Sequence, residues 1–275
     1  MYKAFESAPE LSPYVECYWS WRVDPAGTVL DDILPDAAPE FIVHLGAIPF
    51  VQTESGEWQQ QQRAFFYCAA HKAVRLSIRE PMHLFAIRFR PWGAGMFSKT
   101  SMVNMLDRPI SPRESLDELG DPLAAALVKA ESDRLRVEIV DRLLVDALQT
   151  RSRSRSGLKK FLEVAGGGSC SSAEMARKLS MSARSFSRLW TEVVGVQPRK
   201  FLQLMRFHRA LEMIESGANL KQVAADCGYS DQAHMARQIK AIAGVPPSSL
   251  RRRLGGDVFR DLYTSRPDAP WRKQQ

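Results

Sequence analysis

Arg184, Ser187 and Arg188 stand together on one side of a segment, and Gln232, Ala236 and Arg237 on one side of another. Arginine offers two parallel N–H donors to the O6 and N7 of guanine. Glutamine pairs in the same bidentate way with adenine, and alanine can lie against a thymine methyl. Such side chains on the free face of a helix are suited to reading base edges in a major groove. The opposite faces carry Phe186 and Trp190 in the first segment and Met235 and Ile239 in the second, each pair four residues apart and fit to be buried. Ser182 and Ser230 precede the two segments, where a side-chain oxygen can accept an orphan backbone N–H and cap the helix that follows.

The two sets lie in a unit written twice. Residues 176–182 return at 224–230, an offset of 48, and beyond the shared serine the offset is 49. In that register Phe186 matches Met235, Arg188 matches Arg237, Gly195 matches Gly244, Val196 matches Val245 and Pro198 matches Pro247. Each copy has an amphipathic segment (173–179, 220–227), a short turn and a second helix (183–194, 231–243), which is the pattern of a helix-turn-helix. The glycine after each second helix supplies a left-handed stop. Between the copies, over 198–216, Leu204, Phe207, Leu211 and Ile214 predict a linker helix with one buried stripe. Two units so joined would meet DNA at successive major-groove faces ~34 Å apart. Arg199, Lys200, Arg206 and Arg209 on the linker are placed either to touch phosphate or to be solvated.

With these motifs in view the chain resembles the AraC/XylS family of bacterial transcriptional regulators. Ala176, Met181–Ser182, Phe186-Ser187-Arg188-Leu189-Trp190 and Gly195-Val196-Gln197-Pro198 are similar to the first motif of that family. Arg206, Arg209-Ala210 and Met213-Ile214 are similar to its linker helix. Val223-Ala224, Gly228-Tyr229-Ser230-Asp231-Gln232, Arg237 and Gly244-Val245-Pro246-Pro247 resemble its second motif, with Met235 and Ile239 where the family usually has phenylalanine. The resemblance covers the last third of the chain. It implies a DNA-binding regulator whose partners are double-stranded DNA, a small-molecule effector, a second copy of the chain and RNA polymerase. The residues themselves do not separate activator from repressor.

The charge is divided in the same place. Residues 1–150 hold 15 Lys and Arg against 21 Asp and Glu, and residues 151–275 hold 23 against 10. A basic half that coincides with the duplicated unit is an electrostatic footprint for nucleic acid. No apolar run approaches the ~18 residues of a membrane span. The N-terminus shows neither basic nor apolar signal regions, so a cytoplasmic, nucleoid-associated protein is expected. Cys17, Cys68, Cys170 and Cys227 are scattered without zinc spacing and are expected as reduced thiols.

The acidic half predicts a small β-barrel or sandwich, giving an α+β chain overall. Strands are expected over 15–22, 40–46, 63–69, 73–78 and 82–90, with turn formers between them. A cupin-like barrel is implied by analogy with the family, and the first 150 residues resemble the sensory domain of one of its branches through Leu34-Pro35-Asp36, residues 41–46 and Ile87-Arg88-Phe89-Arg90-Pro91. Ala37 stands where that branch usually has glycine. Beyond residue 95 helices are expected, one starting with Pro122 at its first position. Another carries Val137, Val140, Leu144 and Leu148, to cover the barrel or to pair with a twin. The expected division is a sensory and dimerisation domain (1–150), a basic linker (151–157), the double helix-turn-helix domain (158–254) and a loosely ordered tail (255–275).

His44, Arg88, Arg90 and Trp92 are candidates to line an effector pocket, since arginine grips carboxylates bidentately. His83 is expected in the core, and His234 on the second reading helix as a further DNA contact. No HExxH, GxSxG, GxGxxG or Walker A pattern is present, and the five histidines show no ligand spacing, so neither metal nor cofactor is expected. Two other readings stand beside that of a regulator. One is a DNA-repair alkyl acceptor, which needs a nucleophilic cysteine in a zinc-like cluster. The other is a sequence-indifferent DNA-binding protein.

Overall fold

The computed structural model describes residues 1–151, 161 and 172–253. Arg151 lies in a helix; the rest of the expected linker and the expected tail at 255–275 lie outside the described residues, as does Cys170.

The first ninety residues form nine strands in two antiparallel sheets. They are β1 (Tyr2–Phe5), β2 (Val15–Val23), β3 (Val29–Ile33), β4 (Glu40–His44), β5 (Phe50–Gln52), β6 (Trp58–Gln60), β7 (Ala64–Tyr67), β8 (Val74–Ile78) and β9 (Met82–Phe89). One sheet runs β1-β2-β9-β4-β7 and the other β3-β8-β5-β6. The centre of the larger sheet is β9, where Phe85, Ile87 and Phe89 are fully buried. Arg88, on the other face, is also 2% exposed, so both faces of this strand are covered. His83 is half-buried, 3.7 Å from Asp133, rather than in the core.

The alternation along β2 suggested one buried and one solvated face. Trp19 and Trp21 are buried as expected, but so are Tyr18 and Ser20. The reason is a helix. Tyr18 donates its hydroxyl hydrogen to Asp141 (2.7 Å) and Ser20 donates to Asp133 (2.9 Å). Both acceptors belong to α3 (Asp133–Arg151), which follows α1 (Pro112–Leu116) and α2 (Gly120–Lys129). Val140 and Leu144 of α3 are fully buried, so the apolar stripe of this helix serves its own sheet. Helix α2 begins at Gly120, which places Pro122 inside its first turn rather than at its first position.

Among the described residues from 172 on the regular elements are helices: α4 (Ser172–Lys178), α5 (Ala183–Val194), α6 (Pro198–Glu215), α7 (Leu220–Asp226), α8 (Gln232–Ala243) and α9 (Pro247–Arg253). Phe161, Phe186, Trp190 and Phe201 form one aromatic cluster, with Trp190 and Phe201 rings edge-on at 5.3 Å, pinning α5 to α6. Leu204, Phe207, Leu211 and Ile214 are buried as their spacing requires, but Phe201, Met205 and His208 are buried too. One stripe was expected on α6. A wider arc is covered because the β-domain also lies against this helix: His208 Nε2 is 2.9 Å from the backbone oxygen of Pro35.

Candidate nucleic-acid interface

Each reading helix is aimed by the turn before it. Ser180 and Gly228 take the left-handed conformation (φ +55° and +69°), an offset of 48. The caps differ in register. Ser182 caps α5, its oxygen accepting from Ser185 N at 3.1 Å, whereas α8 is capped by Asp231, which accepts from His234 N at 2.6 Å. Asp231 therefore holds the position expected for Ser230, and the extra residue of the second copy lies inside its turn. The backbone N–H of His234 holds the exposed Asp231 carboxyl below the usual carboxylate range. Both helices then stop at glycines with positive φ, Gly195 (+90°) and Gly244 (+73°).

The faces left free carry most of the expected readers. Arg184 and Arg188 on α5 and Gln232 and Arg237 on α8 are exposed, as are Ser182 and Ser230; Ser187 and Ala236 are half-buried between them. Arg184, Arg188 and Arg237 are engaged in no ion pair or hydrogen bond with any described residue. Ser230 is used locally, its hydroxyl 3.2 Å from Asp231 and 2.9 Å from His234 Nδ1. His234 is half-buried. Its Nε2 lies 2.8 Å from Gln238, and its ring stands edge-on to Tyr229 at 5.7 Å, so it braces the turn.

On α6, Arg199 and Arg209 are exposed and Lys200 is half-buried. Arg206 lies over the Tyr229 ring at 5.4 Å, which ties the linker helix to the second turn. Tyr229, with its hydroxyl pushed up to about 12 by burial, and Asp231 entered the sequence reading only as members of the second motif, without a role. The change of offset at the shared serine was the available signal for Asp231.

The four residues expected around an effector are occupied separately. His44 is 1% exposed, packs against Phe65 (5.9 Å) and hydrogen-bonds Gln61 Oε1 at 3.1 Å. Since that oxygen accepts, Nε2 carries the proton, and burial pushes the pKa of the ring down to about 4. Arg88 is surrounded by carboxylates: Glu40 at 2.8 Å, Glu16 at 3.4 Å, and Asp36. Glu16 reaches it because the strand bulges between Val15 and Cys17, turning that side chain inward. Arg90 donates from Nε to Ser12 O (2.7 Å), and Trp92 from Nε1 to Pro13 O (3.3 Å).

Cavities lie elsewhere among the described residues. One, of about 330 Å³, is bordered by Pro49, Phe50, Gln60, Arg63, Arg79 and Glu80 at the edge of the smaller sheet. In it the Arg79 guanidinium sits 4.1 Å from the centre of the Phe50 ring, and Arg63 holds the oxygens of His44 and Gly46. Another, of about 320 Å³, separates Asp31, Asp32 and Arg75 of the β-domain from Ala243 and Leu250 of the helical region. Among the described residues no group of three or more His, Cys, Asp or Glu is placed to hold a metal, and no helix is long and apolar enough to cross a membrane. Cys68 is fully buried and its thiol is pushed up by that burial.

Residues 175–253 match a family described as a helix-turn-helix domain, and residues 3–111 match a domain of unknown function, DUF6597. Among curated proteins the chain is similar to the HTH-type transcriptional regulator ArgR of Pseudomonas aeruginosa, at 26% identity over 93 residues (33% of this chain, 28% of that protein). It is also similar to the HTH-type transcriptional regulator Rv1931c of Mycobacterium tuberculosis, at 28% over 87 residues (31% of this chain, 34% of that protein). These alignments thus span about a third of the relatives' own length. Among solved structures, ToxT from Vibrio cholerae aligns with 87% of this chain and 98% of its own at 12% identity and a TM-score of 0.42. The DNA-binding domain of AdpA in complex with a target DNA aligns with 34% of this chain and 92% of its own at 20% identity and a TM-score of 0.30.

Proposed function

With an AraC-type helix-turn-helix region at its C-terminus as the premise, we propose that this chain is a sequence-specific DNA-binding transcription regulator. In this reading Arg184, Ser187 and Arg188 enter one major groove, and Gln232, Ala236 and Arg237 the next. Ser182 and Ser230 approach the phosphates flanking the two helices. The observation that carries the reading is the pair Arg188 and Arg237: equivalent in the duplication, exposed, and unpaired among the described residues of a strongly basic half. An unpaired guanidinium on a rigid helix keeps its donors for a base or a phosphate.

The test is selection of bound duplexes from random DNA at fixed salt. Base reading yields a two-part motif, with bound sites preferred by about 10³-fold or more over bulk DNA. Equal affinity for all duplexes would overturn the reading in favour of a sequence-indifferent binder. The alkyl-acceptor alternative needs an activated thiolate. Burial raises the thiols of both Cys68 and Cys227, the opposite of what such chemistry requires.

The β-domain is, in the same proposal, the sensory and dimerisation part of a cytoplasmic homodimer that answers to a small-molecule effector and works on RNA polymerase. For the effector, the Arg63–Arg79 cavity is favoured over the set His44, Arg88, Arg90 and Trp92. Those four already spend polar atoms on the protein. Arg63 and Arg79 also donate to the protein, to the oxygens of His44 and Gly46 and to Ser77 Oγ, but both border one cavity and neither forms an ion pair with a described carboxylate. A carboxylate with an apolar body suits guanidinium donors beside Phe50.

A further inference from the structure

The two copies of the helix-turn-helix differ in what surrounds the joint after the reading helix. In the second copy a Cβ built on Gly244 would meet nothing within 4 Å. In the first, a Cβ on Gly195 would come within 2.7 Å of Leu106 Cδ2 and 3.1 Å of the Met102 oxygen, both from the β-domain side of the molecule. This joint, Gly195-Val196-Gln197, connects α5 to α6 through a backbone with φ +90°. The segment Met102–Met105 packs along the end of α5, and Ser101 donates its hydroxyl hydrogen to the oxygen of Glu192 at 3.4 Å.

A second seat lies further along the linker helix. His208 is 2% exposed, and its Nε2–H donates to Pro35 O. Ten residues separate it from Pro198, so this seat lies ~15 Å along the axis of α6 from the start of the helix. Pro35 is itself held firm: the next residue, Asp36, is bound to Arg88 in the central strand, and the N–H groups of Asp36 and Ala37 donate to Ala69 O. The Leu34-Pro35-Asp36 motif thus has a buried anchor on one side and the linker helix on the other.

We infer that the β-domain is a splint across the joint between the first reading helix and the linker helix, with Leu106 and Met102 seated on Gly195 and Pro35 on His208, and that it fixes the separation at which the two halves of a DNA site are accepted. This rests on the proposed reading of DNA by α5 and α8. Leu106 and His208 are positioning residues in this scheme and face away from DNA. Each base pair inserted between half-sites moves the second by ~3.4 Å and rotates it by ~34°, so a stiff joint rejects neighbouring spacings while a loose one accepts them.

The experiment uses the full chain and duplexes carrying the selected half-motifs separated by spacers varied one base pair at a time. Wild type is expected to prefer one spacing by about tenfold over its neighbours. Leu106→Ala and His208→Leu are expected to narrow that preference to about threefold or less with an unchanged motif in each half, whereas His208→Gln, which keeps a donor toward Pro35, restores it. Circular dichroism and melting identify any variant that does not fold, and the His208→Leu/His208→Gln pair stands without Leu106→Ala. Folded variants with wild-type spacing discrimination would overturn the splint while leaving DNA reading intact. Loss of sequence preference in wild type itself would instead remove the reading on which the splint depends.

Discussion

Arg188 and Arg237 are held on their helices by burial of the side chains opposite them, so their removal should change recognition more than folding. Arg188→Ala or Arg237→Ala is expected to weaken binding to the selected site by about 1–3 kcal/mol and relax the motif at one position, as read by titration and repeat selection. If Arg209 touches phosphate, Arg209→Gln should instead weaken all duplexes alike and flatten the salt slope by about 0.9; an unchanged slope would leave it a solvated charge. In the β-domain His44 makes a different prediction. Its folded pKa of about 4 lies below the ordinary 6.5, so the native state favours the neutral ring. That contribution is complete above pH 6.5 and is lost as pH falls through 6.5 toward 4, by up to about 3 kcal/mol. Melting against pH should therefore fall more steeply in this window for wild type than for His44→Gln; parallel curves would exclude His44 as the source. The exposed arginines were legible from their spacing, because a helix with a marked apolar side must leave the other side free. The bonding of Arg88 was not, since Glu16, Asp36 and Glu40 reach it only through a bulge and two strand crossings.

Helix boundaries tell where local chemistry decided the outcome. The register of the duplication pointed to a serine cap in both copies, and the structure uses Asp231 in the second. A carboxylate that accepts a backbone N–H at the positive end of a helix is stabilised there. Asp231→Ala should lower stability in denaturant unfolding, and Ser230→Ala distinctly less. Among strands, β2, β4, β7, β8 and β9 could be anticipated because their residues alternate or are strongly apolar. Strands β1, β3, β5 and β6 could not: they are three to five residues long, and β3 has Asp31 and Asp32 at its centre. Their pairing is imposed by the neighbours, β1 by β2 and β3 by β8. Helix α3 was visible from its apolar stripe, but that stripe carries no sign of Asp133 and Asp141, which fasten it to β2.

At the scale of the whole chain, the division into an acidic β-rich part and a basic helical part was written in composition, while the contact between them was not. His208 and Pro35 are 173 residues apart in sequence, and nothing in either neighbourhood signals the other. The same holds for Arg63, Arg79 and Phe50, which come together only when β5, β7 and β8 assemble. If this cavity takes the effector, a panel of aryl and alkyl carboxylates should include members that bind the full chain by ligand-observed NMR, while their primary amides do not. Arg63→Gln with Arg79→Gln is expected to weaken such binding about tenfold or more, and equal binding of acids and amides would dismiss the cavity as an anion site.

The two readers follow one another along the chain rather than facing each other across a symmetry axis, and their turns differ by one residue. A single chain laid on a duplex therefore has a front and a back. On the proposed reading the site of one chain is directional, and the same sequence turned end for end would present the β-domain toward the opposite flank. Reversing a selected site within a promoter fragment should leave the affinity of one chain untouched while moving the footprint of the β-domain to the other side.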